Sequence, residues 1–314
     1  MPFKISFMKK DYLSVLDLSP EETKEVLRLG YELKREYRMG IRFKNLLHNR
    51  TIALIFEKPS LRTLATFQIG IHQLGGYPMY MDHKSVRMGV REPVKDVARN
   101  LDRWTEGIVA RVYAHSTLEE LARYTRTPVI NALSDLEHPC QALADFLTIF
   151  EITNWSNDFT LAFVGDGNNV AHSLMLMSAQ MGNRFVLIHP EGYAPSEEIV
   201  KKALEVAGKT GAKIEITTNM DAVRGADFVY TDVWASMGQE AEAEERKKVF
   251  LPYQVNEEVM EKASPSARFM HCLPAHRGEE VTEGVIESDA SIVFEQAENR
   301  LHAQKGLIAY LYSK

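Results

Sequence analysis

The chain has 314 residues, 45% of them hydrophobic and 25% charged, with a net charge of −6. That length suits two ordinary globular domains, and the negative balance gives no electrostatic support to a nucleic-acid role. With two cysteines, Cys140 and Cys272, a disulfide framework is excluded and a reducing compartment is expected.

The N-terminal stretch lacks a long apolar region with a cleavage site, and no apolar run approaches the roughly 20 residues of a membrane span. A cytoplasmic location is expected by default. Ser19 and Pro20 then open a helix that runs to about Arg38, because a hydroxyl caps the first turn and proline suits its first position. The short apolar run Thr51–Phe56 reads as a buried strand. A helix over Ser60–Leu74 follows, stopped by Gly75-Gly76. A strand at Pro78–Met81, a helix at Pro93–Trp104, a strand at Gly107–Val112, a helix at Thr117–Tyr124 and a strand at Pro128–Ala132 complete a first series. A long helix from His138 to about Ile152 leads into a second. Its strands are Phe159–Val164, Phe185–Ile188, Ile214–Ile216, Phe228–Val233 and Phe269–Cys272, and Gln296–Tyr312 reads as a closing helix. Alternating strands and helices imply parallel sheets with right-handed crossovers. The fold class expected is therefore α/β, with two βα series joined near residues 137–155.

The chemically loaded segments all follow strands, where open α/β sheets collect ligands. Ser60-Leu61-Arg62-Thr63 opens a helix after the first strand. Its first-turn N–H groups and dipole suit an anion, and Arg62 adds a planar fork of donors that matches phosphate; the plainer alternative is a capped helix with a surface arginine. Arg111 lies within an apolar strand and must meet an opposite charge or a ligand. Asp135 is a candidate cap for the connecting helix, and His138 and Gln141 share one face of its first turn. Gly165-Asp166-Gly167-Asn168-Asn169 resembles a dinucleotide turn weakly, without the third glycine, and Glu191 is the acidic residue available after the next strand. The alternative is a turn whose asparagines bind a polar ligand. Asp232 can pair with an ammonium group and Ser236 can bind a carboxylate, or both are ordinary turn residues. Cys272 ends the last strand, inert if buried in apolar surroundings and reactive if held as a thiolate. A zinc site is disfavoured because the Cys and His spacing fits no zinc pattern. Arg300 reaches either a ligand or a surface carboxylate.

Seven segments in order, FEKPSLRT, ARVY, HPCQALAD, GDGNNV, TDVWASMGQE, HCLPAHRGEE and ENRLHAQK, resemble the aspartate/ornithine carbamoyltransferase family along essentially the whole chain. HCLP together with DVWxSMG resembles its ornithine branch. The resemblance implies two doubly wound domains, a carbamoyl-phosphate-binding domain over 1–137 and an ornithine-binding domain over 138–295, with the helix 296–314 returning to the first. It implies a homotrimer or a higher multiple. It assigns carbamoyl phosphate to Ser60, Leu61 (through its backbone), Arg62, Thr63, Arg111, His138, Gln141, Cys272, Leu273 and Arg300. It assigns ornithine to Asn169, Asp232, Ser236 and Met237, with Cys272, Asp232, Arg62 and His138 as the catalytic set. Three positions depart from the family's usual pattern. Leu61 replaces a threonine and Leu64 an arginine, and Ser85 stands where a glutamine reaches a neighbouring subunit's site; Lys84 or Arg87 is the nearby substitute.

The implied reaction is attack of the ornithine δ-amine on the carbonyl of carbamoyl phosphate, giving citrulline and phosphate. Its amine must be neutral, and a lysine-like pKa near 10.4 puts that form about 4.6 kcal/mol uphill at pH 7. Thr63, His138 and Arg300 are expected to stabilise charge on the carbonyl oxygen, and Cys272 to accept the proton. No cofactor or metal is needed, since carbamoyl phosphate arrives activated. The alternatives are the same transfer to N-acetylornithine or putrescine, a catalytically silent binding protein and, more distantly, an NAD(P)-dependent oxidoreductase.

Overall fold

The computed structural model describes residues 10–82, 86–235 and 242–313. The chain divides into two compact units, one of residues 1–147 with 300–314 and one of residues 148–299.

In the first unit, Ser19 caps α1 (Pro20–Arg38) through a reciprocal box with Glu22, and proline occupies the first helical turn. The strands are β1 (Thr51–Phe56), β2 (Tyr77–Asp82), β3 (Gly107–Arg111) and β4 (Val129–Leu133). They alternate with α2 (Leu61–Gln73), α3 (Val94–Trp104) and α4 (His115–Tyr124). All pairings are parallel, in the order β2-β1-β3-β4. Successive connections therefore leave β1 and β3 in opposite directions, which makes the gap between them the switch point. Ala53, Ile55, Ile108, Ala110, Leu101 and Leu118 form part of the core beneath.

The chain crosses into the second unit within α5 (Pro139–Ile152) and returns within α11 (Val293–Tyr312). Here β5 (Thr160–Val164), β6 (Arg184–Ile188), β7 (Lys213–Thr217), β8 (Phe228–Thr231) and β9 (Arg268–His271) form a parallel sheet ordered β7-β6-β5-β8-β9. Between them run α6 (Asn169–Met181), α7 (Glu197–Thr210), α8 (Ala243–Phe250) and α9 (Glu257–Lys262), with α10 (Glu283–Ile286) before α11. The switch point lies between β5 and β8. Both units are thus doubly wound, as the family resemblance implied.

The C-terminal part of α11 packs on α1 of the first unit. A methyl group on Gly306 would lie 2.4 Å from the Val26 carbonyl oxygen, and one on Gly30 would lie 3.0 Å from that of His302. The helix starts at Val293 rather than near Gln296, so Arg300 sits two turns inside it. Among the described residues no helix is long and apolar enough to cross a membrane.

Candidate active site

At the switch point of the first unit, β1 and β3 run side by side with Phe56 opposite Arg111. Ser60 caps α2, its hydroxyl accepting from the Thr63 N–H at 3.3 Å. The first turn of a helix lacks intrahelical acceptors for its N–H groups, so this start concentrates donors and positive potential. Arg111 is the last residue of β3, not an interior one as the apolar run had implied, and is nonetheless buried. The strand stops where its charge reaches the open end of the sheet.

Arg300 brings the rest together. Its Nη2 donates to Thr63 Oγ1 at 3.0 Å and its Nη1 to Gln141 Oε1 at 2.5 Å. Gln141 in turn donates through Nε2 to Asp145 Oδ1 at 2.8 Å. His138 precedes α5, its carbonyl accepting from the Gln141 N–H at 3.0 Å. Burial, then the positive charges of Arg300 and Arg111, hold the His138 imidazole well below the usual histidine range. It is therefore a neutral ring at physiological pH, able to donate one hydrogen and accept another. The helix start, two buried guanidinium groups and a neutral imidazole concentrate hydrogen-bond donors and positive charge, a chemistry suited to a small anion. Asp135 does not cap α5; its carboxylate accepts from the His115 N–H at 2.8 Å, at the start of α4.

The second unit carries a different chemistry at the ends of β5, β8 and β9. Asn168 caps α6, and its Nδ2 donates to Asp232 Oδ2 at 2.9 Å. The other carboxylate oxygen accepts from the Cys272 thiol at 3.0 Å and from the Val233 N–H at 2.8 Å. Asp232 is buried and Cys272 half-buried. The backbone around the cysteine is fixed from behind. His271 accepts the Leu273 N–H at Nδ1 (2.8 Å), which places its hydrogen on Nε2, facing Glu280 Oε1 at 3.1 Å. Leu273 itself has φ of 58°, a strained conformation for a branched side chain.

Asp166, in the turn after β5, pairs with Arg246 at 2.8 Å, and the same guanidinium donates to the Trp234 carbonyl at 2.7 Å. Burial raises the Asp166 pKa and the ion pair opposes that rise; Asp232 nearby raises it further. Gly167 has a packing reason: a Cβ there would lie 2.3 Å from the Pro195 nitrogen. The glycine makes room for a neighbouring loop, and the turn needs no nucleotide to account for it.

Asp232, His271 and Cys272 present donor atoms within 4.8 Å of one another, as do His276, Glu279 and Glu280. In the first group both histidine nitrogens are already committed, to Leu273 and Glu280, so metal binding would have to break that arrangement.

The structure joins Ser60, Thr63, Gln141 and Arg300 into one hydrogen-bonded group and joins Asp232 to Cys272. Leu61 points its side chain outward, 80% exposed, and offers its backbone alone. Asn169 opens α6, but its neighbour Asn168 makes the bond to Asp232. Ser236 and Met237, and Lys84 and Ser85, lie outside the described residues. Three supporting residues went unassigned in the sequence: Asp145, Arg246 and Glu280. Only Asp145 had a local signal, four positions after Gln141 on one helix.

Two doubly wound units, each with polar and ionisable side chains gathered at the carboxyl ends of its strands, define an α/β enzyme that handles small polar substrates. Comparison with known proteins makes the class specific. A family model described as the carbamoyl-P binding domain of aspartate/ornithine carbamoyltransferase matches residues 10–151, and one for its Asp/Orn binding domain matches residues 157–311. The chain belongs to the aspartate/ornithine carbamoyltransferase family. An ornithine carbamoyltransferase of Anoxybacillus flavithermus is 48% identical over 312 residues, 99% of each chain. An anabolic ornithine carbamoyltransferase of Pyrococcus furiosus is 47% identical over 306 residues, 97% of each. A solved structure of ornithine carbamoyltransferase from Pyrococcus furiosus superposes with a TM-score of 0.93 at 47% identity, covering 97% of both chains.

Proposed function

We propose that this protein transfers the carbamoyl group of carbamoyl phosphate to the δ-amine of L-ornithine, giving L-citrulline and phosphate. The observation that carries the reading is the Cys272 thiol on the Asp232 carboxylate. It unites two segments 40 residues apart whose motifs resemble the ornithine branch.

In this reading Ser60, Leu61 (backbone), Arg62, Thr63 and Arg111 hold the phosphate. Helix-start donors and guanidinium forks suit a dianion. His138, Gln141, Arg300 and the Cys272-Leu273 backbone orient the carbamoyl group. Negative charge grows on its oxygen as the amine attacks, and the donors of Thr63, His138 and Arg300 stabilise it; one such donor is worth about 3–4 kcal/mol. Asn169, Asp232, Ser236 and Met237 hold ornithine, with Asp232 on the α-ammonium. That contact favours a free amino acid over N-acetylornithine, whose α-nitrogen is uncharged, and over putrescine, which has no α-amino acid end.

Cys272 is the proton acceptor. A thiolate beside the Asp232 carboxylate is disfavoured by like-charge repulsion, so the acceptor form is reached, with the thiol proton released to solvent, once the α-ammonium of an ornithine bound with its δ-amine neutral offsets the carboxylate. The proton then passes from the attacking nitrogen to sulfur as the C–N bond forms and the C–O bond to phosphate breaks.

The reading extends to arginine biosynthesis, consistent with the relative named as anabolic, and also to a cytoplasmic location and a homotrimer. Citrulline formation from carbamoyl phosphate with ornithine, N-acetylornithine and putrescine in parallel is the test. Ornithine is expected to give product far faster than the other amines; no citrulline from ornithine at any pH would sink the reading.

A further inference from the structure

In the first unit one hydrogen-bonded chain runs from the start of α2 into the interior: Thr63 to Arg300 (3.0 Å), Arg300 to Gln141 (2.5 Å), Gln141 to Asp145 (2.8 Å). All four side chains are 2% exposed or less, so water does not compete for these bonds.

The middle link has a property the others lack. A glutamine amide is nearly symmetrical in shape, and only the partners at its two ends decide which end carries oxygen. A guanidinium only donates and a carboxylate only accepts. Asp145 takes the NH2 end and thereby turns the Gln141 carbonyl toward Arg300. Gln141 and Asp145 stand four residues apart on α5, one helical turn, so the helix itself sets their spacing. With the amide fixed, Nη1 of Arg300 has a preset acceptor while Nη2 donates to Thr63 Oγ1. The orientation of three groups proposed to meet the carbamoyl group therefore depends on a carboxylate that meets none of the substrate.

We infer that Asp145 is a positioning residue for carbamoyl phosphate, acting through the polarity it imposes on Gln141. The inference rests on the carbamoyl-transfer reading above. Its role is on the carbamoyl end of the substrate, since Gln141 and Arg300 orient that end while the helix start and Arg111 take the phosphate.

The test is Asp145→Asn, nearly identical in shape but able to present either an oxygen or an NH2 group to Gln141. The Michaelis constant for carbamoyl phosphate is expected to rise about tenfold or more, the scale of a lost charge-assisted bond. The constant for ornithine should change less than about twofold, a shift small against the effect of one lost hydrogen bond. Inhibition by inorganic phosphate, which has no carbamoyl group, should weaken much less than carbamoyl phosphate binding. Asp145→Glu keeps an acceptor-only carboxylate and should recover part of the loss.

An unchanged constant for carbamoyl phosphate would overturn the inference. So would a parallel loss of phosphate inhibition and ornithine affinity, or failure of Asp145→Asn to fold, either of which assigns the carboxylate a purely structural role. A Glu variant no better than the Asn variant would also count against it. A wild-type protein that makes no citrulline would remove the functional reading itself, and this inference with it, before any variant is compared.

Discussion

The thiol of Cys272 donates to Asp232, so the free protein holds the group proposed as proton acceptor in its protonated form. Cys272→Ala is expected to lower kcat by about a hundredfold or more, the usual scale of a positioned proton-transfer group. A pH–rate profile checks it: near-normal kcat at every pH would rule the role out. His138 leads to a different expectation. Its imidazole is kept neutral by burial and by two guanidinium groups, so it should add no inflection to kcat/KM for carbamoyl phosphate between pH 6 and 8. His138→Gln should reduce kcat by about a hundredfold, as loss of one oxyanion donor does, while leaving the shape of the profile intact. A wild-type inflection in that range that disappears in the variant would refute the neutral assignment. At this scale the sequence showed the residues with strong chemistry, Arg62, His138, Asp232 and Cys272, because charge and nucleophilicity are properties of single side chains. It did not distinguish Asn168 from Asn169, because a helix cap and a ligand contact use the same residue type, and the difference of one position turns the side chain by a helical step.

Among the elements, α11 and α1 approach backbone to backbone. The Gly306 Cβ position is taken by backbone atoms of α1, 2.4 Å and 2.6 Å away at Val26 and Gly30. Alanine there would gain about 1 kcal/mol in helix propensity but push two backbones apart. Gly306→Ala is expected to destabilise by about 1–3 kcal/mol, seen as a lower midpoint in thermal denaturation; a raised midpoint would show the helices to be free to separate. The neighbouring His302 has its pKa lowered to about 3, by burial first and then by Lys305, Lys34 and Arg38. A depressed folded-state pKa means that the unfolded chain takes up the proton first. The stability is fully present above the unfolded value near 6.5 and is lost progressively as the pH falls toward 3. Between pH 7 and 5 this one group should cost about 2 kcal/mol. Denaturant titrations at both values should show a shallower loss in His302→Gln than in the wild type; equal slopes would contradict the shift. Element types were readable from apolar runs and glycine stops. The start of α11 was not: Val293-Phe294-Glu295 lacks an obvious cap, and tertiary packing extends the helix over it.

For the whole molecule, both units show the same logic at different strand orders, β2-β1-β3-β4 and β7-β6-β5-β8-β9. Each gathers its polar groups at the switch point. The homotrimer of the proposed reading gives a mass expectation: light scattering on a sizing column should return about three times 35.7 kDa or a multiple of that. A monomer mass at working concentrations would remove it. The dinucleotide turn can be settled at the same scale. Gly167 serves a close approach to Pro195, so titration with NAD(P) should give no binding heat.

The sequence by itself determined the α/β class, the alternation of strands and helices, and the chain-order set of motifs that mark the family. These are local: period, propensity and side-chain chemistry are carried by residues near one another in the chain. Only the tertiary structure decided which of them meet. Arg300 joins Thr63 across 237 positions and Gln141 across 159, and Asp232 joins Cys272 across 40. No local pattern encodes such a pair, because its geometry is set by sheet order and helix packing. The supporting carboxylates are hidden for the same reason: Asp145 and Glu280 look like any acidic residue until the fold buries them beside Gln141 and His271.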